Sequence, residues 1–118
     1  EDVLDLVGKT SLLDLLYIIN HSSLLVSNES CAPHLAAALE RININIFVIS
    51  NGTTFGRFTP YPKKIYGNYF PIFHPKIEKD LNNPKKLINT YGILSNLDIN
   101  DITSENAIAK IKSVLNEF

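Results

Sequence analysis

The chain has 118 residues, with 11 Lys and Arg against 12 Asp and Glu, which gives a formal net charge of −1. Hydrophobic residues make up 45% and charged residues 19% of it, so the composition excludes a disordered chain and fits one globular domain. The balanced charge argues against a nucleic-acid or anionic-membrane surface, and no apolar run approaches the roughly 20 residues of a membrane-spanning helix.

The first predicted elements are a strand and a helix. The chain starts at Glu1 and contains no Met, so we expect it to be a piece of a longer protein. Residues 3–7 are predicted to form a short strand that Gly8 closes. Ser11 is predicted to cap a helix, with Asp14 as its capping-box partner. The apolar residues of this helix fall on one face that we expect to be buried: Leu12, Leu15, Leu16 and Ile19.

A second strand, a second helix and a third strand follow. Residues 24–26 are apolar without alternation, which is typical of an inner strand of a parallel sheet covered on both faces. A polar turn leads into a helix over about 31–41, with Pro33 in its first turn and alanines at 36–38 that allow close approach to the sheet. Residues 44–49 are predicted to be a buried strand. This alternating order predicts an α/β fold with a parallel sheet and flanking helices.

The second half of the chain has a different character. Residues 51–92 are rich in proline and aromatic residues and are predicted to be irregular, apart from a short strand over 69–73, a turn at 82–84 and a short helix over 85–91. The lysines are interpreted as a solvated surface: Lys63, Lys64, Lys76, Lys85 and Lys86. A last helix, capped by Ser104, is predicted to pack back on the sheet through residues at helical spacing: Ile108, Ile111, Leu115 and Phe118.

The loop between the second strand and the second helix is the most informative stretch. Parallel α/β sheets bind ligands at the carboxyl ends of their strands. The N–H groups of Ser30, Cys31 and Ala32 at a helix N-terminus can hold a phosphate, Glu29 can accept hydrogen bonds from ribose or sugar hydroxyls, and His34 can donate one to an anion. A simple N-cap at Ser30, a favourable first-turn charge at Glu29 and a semi-buried His34 explain the same residues, so both interpretations stay open.

Three other motifs give weaker evidence for a function. A nucleophilic pair of Cys31 and His34 lacks an evident third residue to orient it, so an inert core cysteine is favoured, and a single cysteine fits a reducing compartment. The three histidines and Cys31 do not fall at zinc spacing, so no metal site is predicted. Residues 8–10 are not a phosphate loop, because that pattern needs a glycine where the chain has Val3.

A second candidate loop, over residues 51–61, leaves the third strand at the same predicted edge of the sheet. Its two glycines, Gly52 among them, permit close approach of the backbone to a ligand. Arg57 can pair with phosphate or carboxylate, and Phe55, Phe58 or Tyr61 can stack on a ring. The alternative is a glycine turn with a surface arginine and aromatic residues that fill a small core of the loop itself.

Three stretches, in order and at this spacing, resemble the C-terminal half of glycosyltransferase family 9, which includes the ADP-heptose:lipopolysaccharide heptosyltransferases. They are Leu6-Val7-Gly8-Lys9-Thr10-Ser11-Leu12-Leu13, then Leu25-Val26-Ser27-Asn28-Glu29-Ser30, then His34-Leu35-Ala36-Ala37-Ala38-Leu39. The likeness covers roughly positions 4–62. Cys31 stands where the family usually has Gly, and the Asp of the family's second loop is absent.

The resemblance implies a two-domain GT-B enzyme whose C-terminal, Rossmann-like half binds a nucleotide-sugar donor. It implies that Ser30 and the backbone of Cys31 and Ala32 meet the pyrophosphate, and that Glu29 faces the donor sugar where the family usually has Asp. His34 matches the family histidine. The full set of candidate donor- and phosphate-binding residues is Thr10, Ser11, Asn28, Glu29, Ser30, Cys31, Ala32, His34, Gly52 and Arg57.

The resemblance further implies an inverting, metal-independent transfer that needs no cofactor. The donor would resemble ADP-heptose, the acceptor would be lipopolysaccharide or another lipid-linked or cell-surface saccharide, and the site of action would be the cytoplasm, at most peripherally at a bacterial membrane. The general base is expected in an N-terminal half outside these 118 residues. Residues 1–118 are therefore interpreted as one partial donor-binding domain that is inactive alone; the alternatives are a non-catalytic nucleotide- or glycan-binding module and a generic α/β domain.

Overall fold

A computed structural model of the chain describes residues 2–39, 44–64 and 66–116. These residues form a three-stranded parallel sheet with flanking helices, which confirms the predicted α/β, Rossmann-like architecture. The elements, in chain order, are α1 (Leu12–Asn20), β1 (Leu24–Asn28), α2 (Cys31–Ala38), β2 (Asn45–Ser50), β3 (Tyr69–Phe73), α3 (Pro75–Glu78), α4 (Pro84–Tyr91), a 3₁₀ turn (Ile99–Asp101) and α5 (Ser104–Leu115).

The strand β2 lies at the centre of the sheet, between β1 and β3. In the parallel register Asn28 lies beside Ile49, and Ile49 beside Ile72. All three strands therefore end at the same edge, which is the edge where parallel sheets bind ligands. The predicted strands over 44–49 and 69–73 are confirmed, the first with a shift of one residue.

Both faces of β2 are covered, because neighbouring strand residues point to opposite sides of a sheet. On one side Ile46 and Val48 pack with Ala36 of α2, which is fully buried, so the close helix-to-sheet approach predicted from the alanines is confirmed at that position. On the other side Phe47 packs with Ala107 of α5. The predicted return of the last helix to the sheet is therefore also confirmed.

The strand predicted over residues 3–7 is not formed, and Val7 and Gly8 lie in a turn instead. Val3 and Val7 are 86% and 87% exposed. Within the described residues no strand lies beside this segment, and extended backbone without a pairing partner gains nothing from an apolar sequence.

The prediction that residues 24–26 form an inner strand is also wrong. Among the described residues β1 pairs with β2 alone, its burial alternates along the strand, and Val26 is 45% exposed. The buried face of α1 is narrower than predicted too: Ile19 is buried, whereas Leu12 is 63% exposed. Both differences have one cause, since apolar character leads to burial only where a neighbouring element covers the residue.

Helix boundaries follow their local signals closely. Ser11 and Asp14 form the predicted capping box, with Asp14 N–H to Ser11 Oγ at 3.1 Å and Ser11 N–H to Asp14 Oδ2 at 2.9 Å. Hydrogen bonds from the Ser11 backbone and then its side chain lower the pKa of Asp14. The last helix is capped by Thr103 rather than Ser104, and Ile108 is half-exposed rather than buried.

Residues 51–92 contain the predicted strand and helix, as β3 and α4, and one helix that the sequence did not predict, the four-residue α3. The short helix predicted after the turn is confirmed as α4, which begins at Pro84 and is capped by Asn83. The predicted end of the second helix, at Arg41, and the contact assigned to Phe118 lie outside the described residues. The lysines predicted to be solvated are all exposed: Lys63, Lys64, Lys76, Lys85 and Lys86.

Candidate functional site

A pocket of about 440 Å³ lies at the carboxyl edge of the sheet, between the N-terminus of α2 and the loop that follows β2. It is lined by Glu29, Ser30, Cys31, His34, Thr53, Thr54 and Phe58. The two loops singled out in the sequence thus meet around one cavity, because the parallel register brings the ends of β1 and β2 to the same level.

Glu29 is held in place by the sheet and offers one free acceptor. Its N–H donates to the Ile49 carbonyl at 3.2 Å, and its Oε2 accepts from Ser50 Oγ at 2.8 Å. The other carboxylate oxygen, Oε1, is buried and has no hydrogen-bond partner. A buried acceptor without a partner is costly, by about 1–3 kcal/mol, so a ligand donor in the pocket would recover that cost.

The N-terminus of α2 also keeps free hydrogen-bonding capacity. Ser30 occupies the N-cap position, but its side chain makes no capping hydrogen bond, and its Oγ lies 3.4 Å from Ser27 Oγ. The first-turn N–H groups are therefore left without the usual side-chain acceptor. A helix terminus of this kind favours an anion. The simple N-cap interpretation of Ser30 does not describe this geometry.

Cys31 is exposed and lines the pocket. The prediction that this cysteine lies in the core is therefore wrong. The reason is its position at the first residue of α2, at the edge of the cavity, whereas Pro33, two residues later, is buried.

His34 is half-buried and joins the two loops. Its Nδ1 lies 2.8 Å from the hydroxyl of Tyr61, and its ring lies edge-on to Phe58 with centroids 6.3 Å apart. Tyr61 in turn packs edge-on against Tyr69, at 4.7 Å. Since one ring nitrogen is engaged by Tyr61, Nε2 is the nitrogen through which His34 can bond a ligand.

The loop after β2 folds as consecutive tight turns. Phe55 N–H donates to the Gly52 carbonyl at 2.9 Å, and Arg57 N–H donates to the Thr54 carbonyl at 2.9 Å. Thr54 has a φ of 61°, a strained conformation for a β-branched residue and one that concentrates at ligand sites. Phe55 is buried behind the loop, whereas Phe58 is 59% exposed on the pocket side.

Six of the predicted site residues do not line the pocket: Thr10, Ser11, Asn28, Ala32, Gly52 and Arg57. Ser11 is occupied by the capping box of α1, and Gly52 is buried against Ile77. Arg57 is exposed to solvent. The structure thus brings together Glu29, Ser30, Cys31 and His34 of the predicted set, and adds Thr53 and Thr54.

Sequence reasoning missed both threonines as site residues. The available signal was their place directly after Gly52, a glycine just past the end of the predicted strand. In the structure Gly52 has a φ of 93°. Of the three predicted aromatic candidates, Phe55, Phe58 and Tyr61, Phe58 lines the cavity and the other two do not.

In residues 2–39, 44–64 and 66–116 no group of three or more His, Cys, Asp or Glu side chains is placed to hold a metal ion. None of the helices in the same ranges combines the length and apolar character needed to cross a membrane.

Comparison with known proteins identifies the family. The sequence matches the profile of Glycosyltransferase family 9 (heptosyltransferase) over residues 1–87. No curated protein and no solved structure shows significant similarity to the chain. The matched residues are 87 of 118 and include β1, α2, β2, β3 and every residue that lines the pocket. The chain belongs to glycosyltransferase family 9.

Proposed function

We propose that the pocket at the carboxyl edge of the sheet binds the nucleotide-sugar donor of a glycosyltransferase. The observation that carries the proposal is the unpartnered Oε1 of Glu29, in a pocket that also contains the uncapped N-terminus of α2. A carboxylate oxygen accepts from hydroxyl groups, and a helix N-terminus favours phosphate. A nucleotide sugar carries both kinds of group on one molecule.

Different residues of the pocket would bind different parts of the donor. The N–H groups at the start of α2, together with His34 Nε2, would hold the diphosphate and stabilise the negative charge that it gains as a leaving group. Glu29 would accept hydrogen bonds from sugar hydroxyls. Phe58, which is exposed beside His34, would offer an apolar face to a ring of the donor.

The finer assignment rests on the family resemblance. We propose an ADP-heptose-like donor, a lipopolysaccharide or other cell-surface glycan as acceptor, and displacement at the anomeric carbon with inversion, without a metal ion. The same resemblance carries the expectation that the protein acts in the cytoplasm, with at most peripheral membrane contact. The base that deprotonates the acceptor is expected from an N-terminal half, so these 118 residues should bind donor without turning it over.

Calorimetric titration with ADP, GDP and UDP tests the proposal. At least one nucleotide should bind, and Ser30→Ala and His34→Ala should each weaken it about tenfold, the effect of losing one hydrogen bond to a charged group. Ser23→Ala and His21→Ala are matched controls, because both residues are exposed and lie outside the pocket. These controls should bind as the parent chain does.

Two outcomes would overturn the donor site. One is the absence of binding by all three nucleotides at millimolar concentration. The other is a loss of several degrees in melting temperature for Ser30→Ala and His34→Ala with binding intact, which would make both residues structural.

A further inference from the structure

The segment between α4 and the 3₁₀ turn is hydrogen-bonded to the loop after β2, residues 51–61, which we call the pocket loop. Ser95 N–H donates to Thr53 Oγ1 at 3.0 Å. The side-chain amide of Asn51 donates to the Leu97 carbonyl at 3.2 Å and lies 3.5 Å from the Ser95 carbonyl. We call residues 95–97 the latch. The contacts span more than forty positions of sequence, and the latch lies beyond the residues that match the family.

The latch is itself firmly seated. Ser95 is 6% exposed, and its Oγ accepts from Leu97 N–H at 3.2 Å. Leu97 packs against the apolar cluster that contains Phe55 of the pocket loop and Ile77 of α3. A segment anchored by one buried residue and one apolar contact can hold a loop in one position, because moving it would expose apolar surface and break hydrogen bonds.

Asn51 directly follows β2 and forms hydrogen bonds both to the latch and within the pocket loop. Its Nδ2 donates to the latch, and its Oδ1 accepts from Thr53 N–H at 3.1 Å. The bond to Thr53 closes a local turn typical of asparagine, just before the strained residue Thr54. Strain at such a residue persists only where the surroundings over-determine the conformation, and the latch supplies that constraint.

We infer that Asn51 is a positioning residue, which ties the pocket loop to the latch and thereby holds Thr53 and Thr54 against the bound ligand. The part of this inference that concerns the ligand rests on the proposed donor site. The part that concerns the loop does not, since it predicts a change in Thr54 that is measurable without any ligand.

The test variant is Asn51→Asp. It keeps an acceptor for Thr53 N–H but replaces the Nδ2 donor with an oxygen that faces the carbonyls of the latch. Asn82→Asp is the matched control, because it adds the same charge at an exposed turn position. Ser95→Ala is a milder second variant, which removes only the acceptor for Leu97 N–H.

Two measurements decide the outcome. In the ligand-free chain, the ¹³Cα and ¹³Cβ shifts of Thr54 should move away from left-handed values and the Ser95 amide should exchange about tenfold faster in Asn51→Asp. Amides of β2 should be unchanged, which shows that the fold is intact. Ser95→Ala should shift the same signals less, and Asn82→Asp should leave them as they are. Whichever of ADP, GDP and UDP binds the parent chain should bind Asn51→Asp about tenfold more weakly.

The outcomes separate the two proposals. Unchanged Thr54 shifts in Asn51→Asp would overturn the positioning role of Asn51. Altered shifts with unchanged nucleotide affinity would overturn the part of the inference that concerns the ligand, because Asn51 would then hold the loop without affecting binding. If the parent chain binds none of the three nucleotides, the donor site fails, and the Thr54 shifts alone decide whether Asn51 positions the loop.

Discussion

Tyr69 connects the central sheet to the pocket. It begins β3, is 3% exposed, and bonds the Thr59 hydroxyl at 3.0 Å. Its ring packs edge-on against Tyr61, which holds His34. The position of His34 therefore depends on Tyr69 of β3, through the contact between the rings of Tyr69 and Tyr61.

Tyr69 should make folding stability fall at alkaline pH. Burial is the main cause that raises the pKa of Tyr69 from 10.0 to about 12. The hydrogen bond with Thr59 opposes this shift, and the charges of Glu29 and Tyr61 add to it. Below pH 10 the group is protonated in both states. As pH rises from 10 towards 12 the unfolded chain releases this proton while the folded chain retains it, so the free energy of unfolding decreases.

Urea denaturation of the parent chain and of Tyr69→Phe measures the effect. The free energy of unfolding of the parent chain should exceed that of Tyr69→Phe by more at about pH 8 than at about pH 11, because only the parent carries the Tyr69 proton. A difference between the two proteins that does not change with pH would show that the hydroxyl is not held in its neutral form by the fold.

At the scale of elements, the pocket loop is shaped by the helices behind it. A β-carbon at Gly52 would collide with Ile77 of α3, and one at Gly56 would lie 2.9 Å from Ile88 of α4. Both glycines also have positive φ, 93° and 84°. The loop can therefore carry its threonines to the pocket only because these two positions lack side chains on the helix side.

Gly52→Ala and Gly8→Ala form a matched pair that separates conformational strain from steric contact. Gly8 also has a positive φ, of 70°, but a β-carbon there would meet nothing within 4 Å. Gly8→Ala should cost only about 1–2 kcal/mol of unfolding free energy, the strain of a left-handed residue. Gly52→Ala should cost about 1–3 kcal/mol more, because it also overpacks the contact with Ile77.

Chemical denaturation of both variants, and of Gly52→Ala combined with Ile77→Val, gives these values. Ile77→Val removes the Cδ1 atom that a β-carbon at position 52 would strike. The double variant should therefore be more stable than the sum of the two single changes predicts. Strict additivity, or equal costs at positions 8 and 52, would contradict the packing argument.

Local elements were predictable from sequence because their causes are local. The capping box at Ser11 depends on neighbours a few residues away and forms as predicted. The helix predicted over 85–91 forms as α4, which begins one residue earlier than predicted, at Pro84. The strand expected over 3–7 and the inner position expected for β1 depend on partners elsewhere in the sheet, which periodicity does not reveal. Residues 24–26 are apolar, yet β1 has one described neighbour and stays half-exposed.

The residues of the candidate site also differ in whether local sequence is enough to predict them. Glu29, Ser30, Cys31 and His34 belong to one continuous motif at a strand-to-helix junction, so the motif and the general rule for parallel sheets sufficed to find them. The contribution of Thr53, and the latch that bonds it, depend on Ser95, more than forty positions later. No pattern of spacing within either segment indicates that pairing.

At the scale of the whole molecule, helices cover both faces of the three-stranded sheet in the part of the chain that the structure describes. Helices α1 and α2 cover the face that contains Ile46, and α5 covers the face that contains Phe47; both residues are fully buried. The family match ends at residue 87, before α5 begins. Because removing α5 would open one entire face of β2, residues 104–115 are expected to be part of the same cooperative unit as the donor pocket.

A pair of alanines in α5 tests this expectation. Ala107 is 8% exposed and packs on Phe47 and Ile72, whereas Ala109, two residues later in the same helix, is exposed. Ala107→Asp would place a carboxylate against the apolar face of the sheet and should cost about 3 kcal/mol of unfolding free energy. Ala109→Asp should cost only about 0.7 kcal/mol, the helix-propensity difference.

Two measurements compare the variants. Urea denaturation followed by far-UV circular dichroism reports the loss of helix, and the exchange rate of the Glu29 amide in the presence of nucleotide reports the opening of the pocket. If α5 and the pocket unfold together, Ala107→Asp should lower the stability of both to the same extent, because a single cooperative transition exposes the whole sheet. A loss of α5 helicity that leaves Glu29 protection unchanged would instead divide the chain into a family-matched core that folds alone and an appended helix. That result would also weaken the role of the latch, since residues 95–97 lie between the two parts.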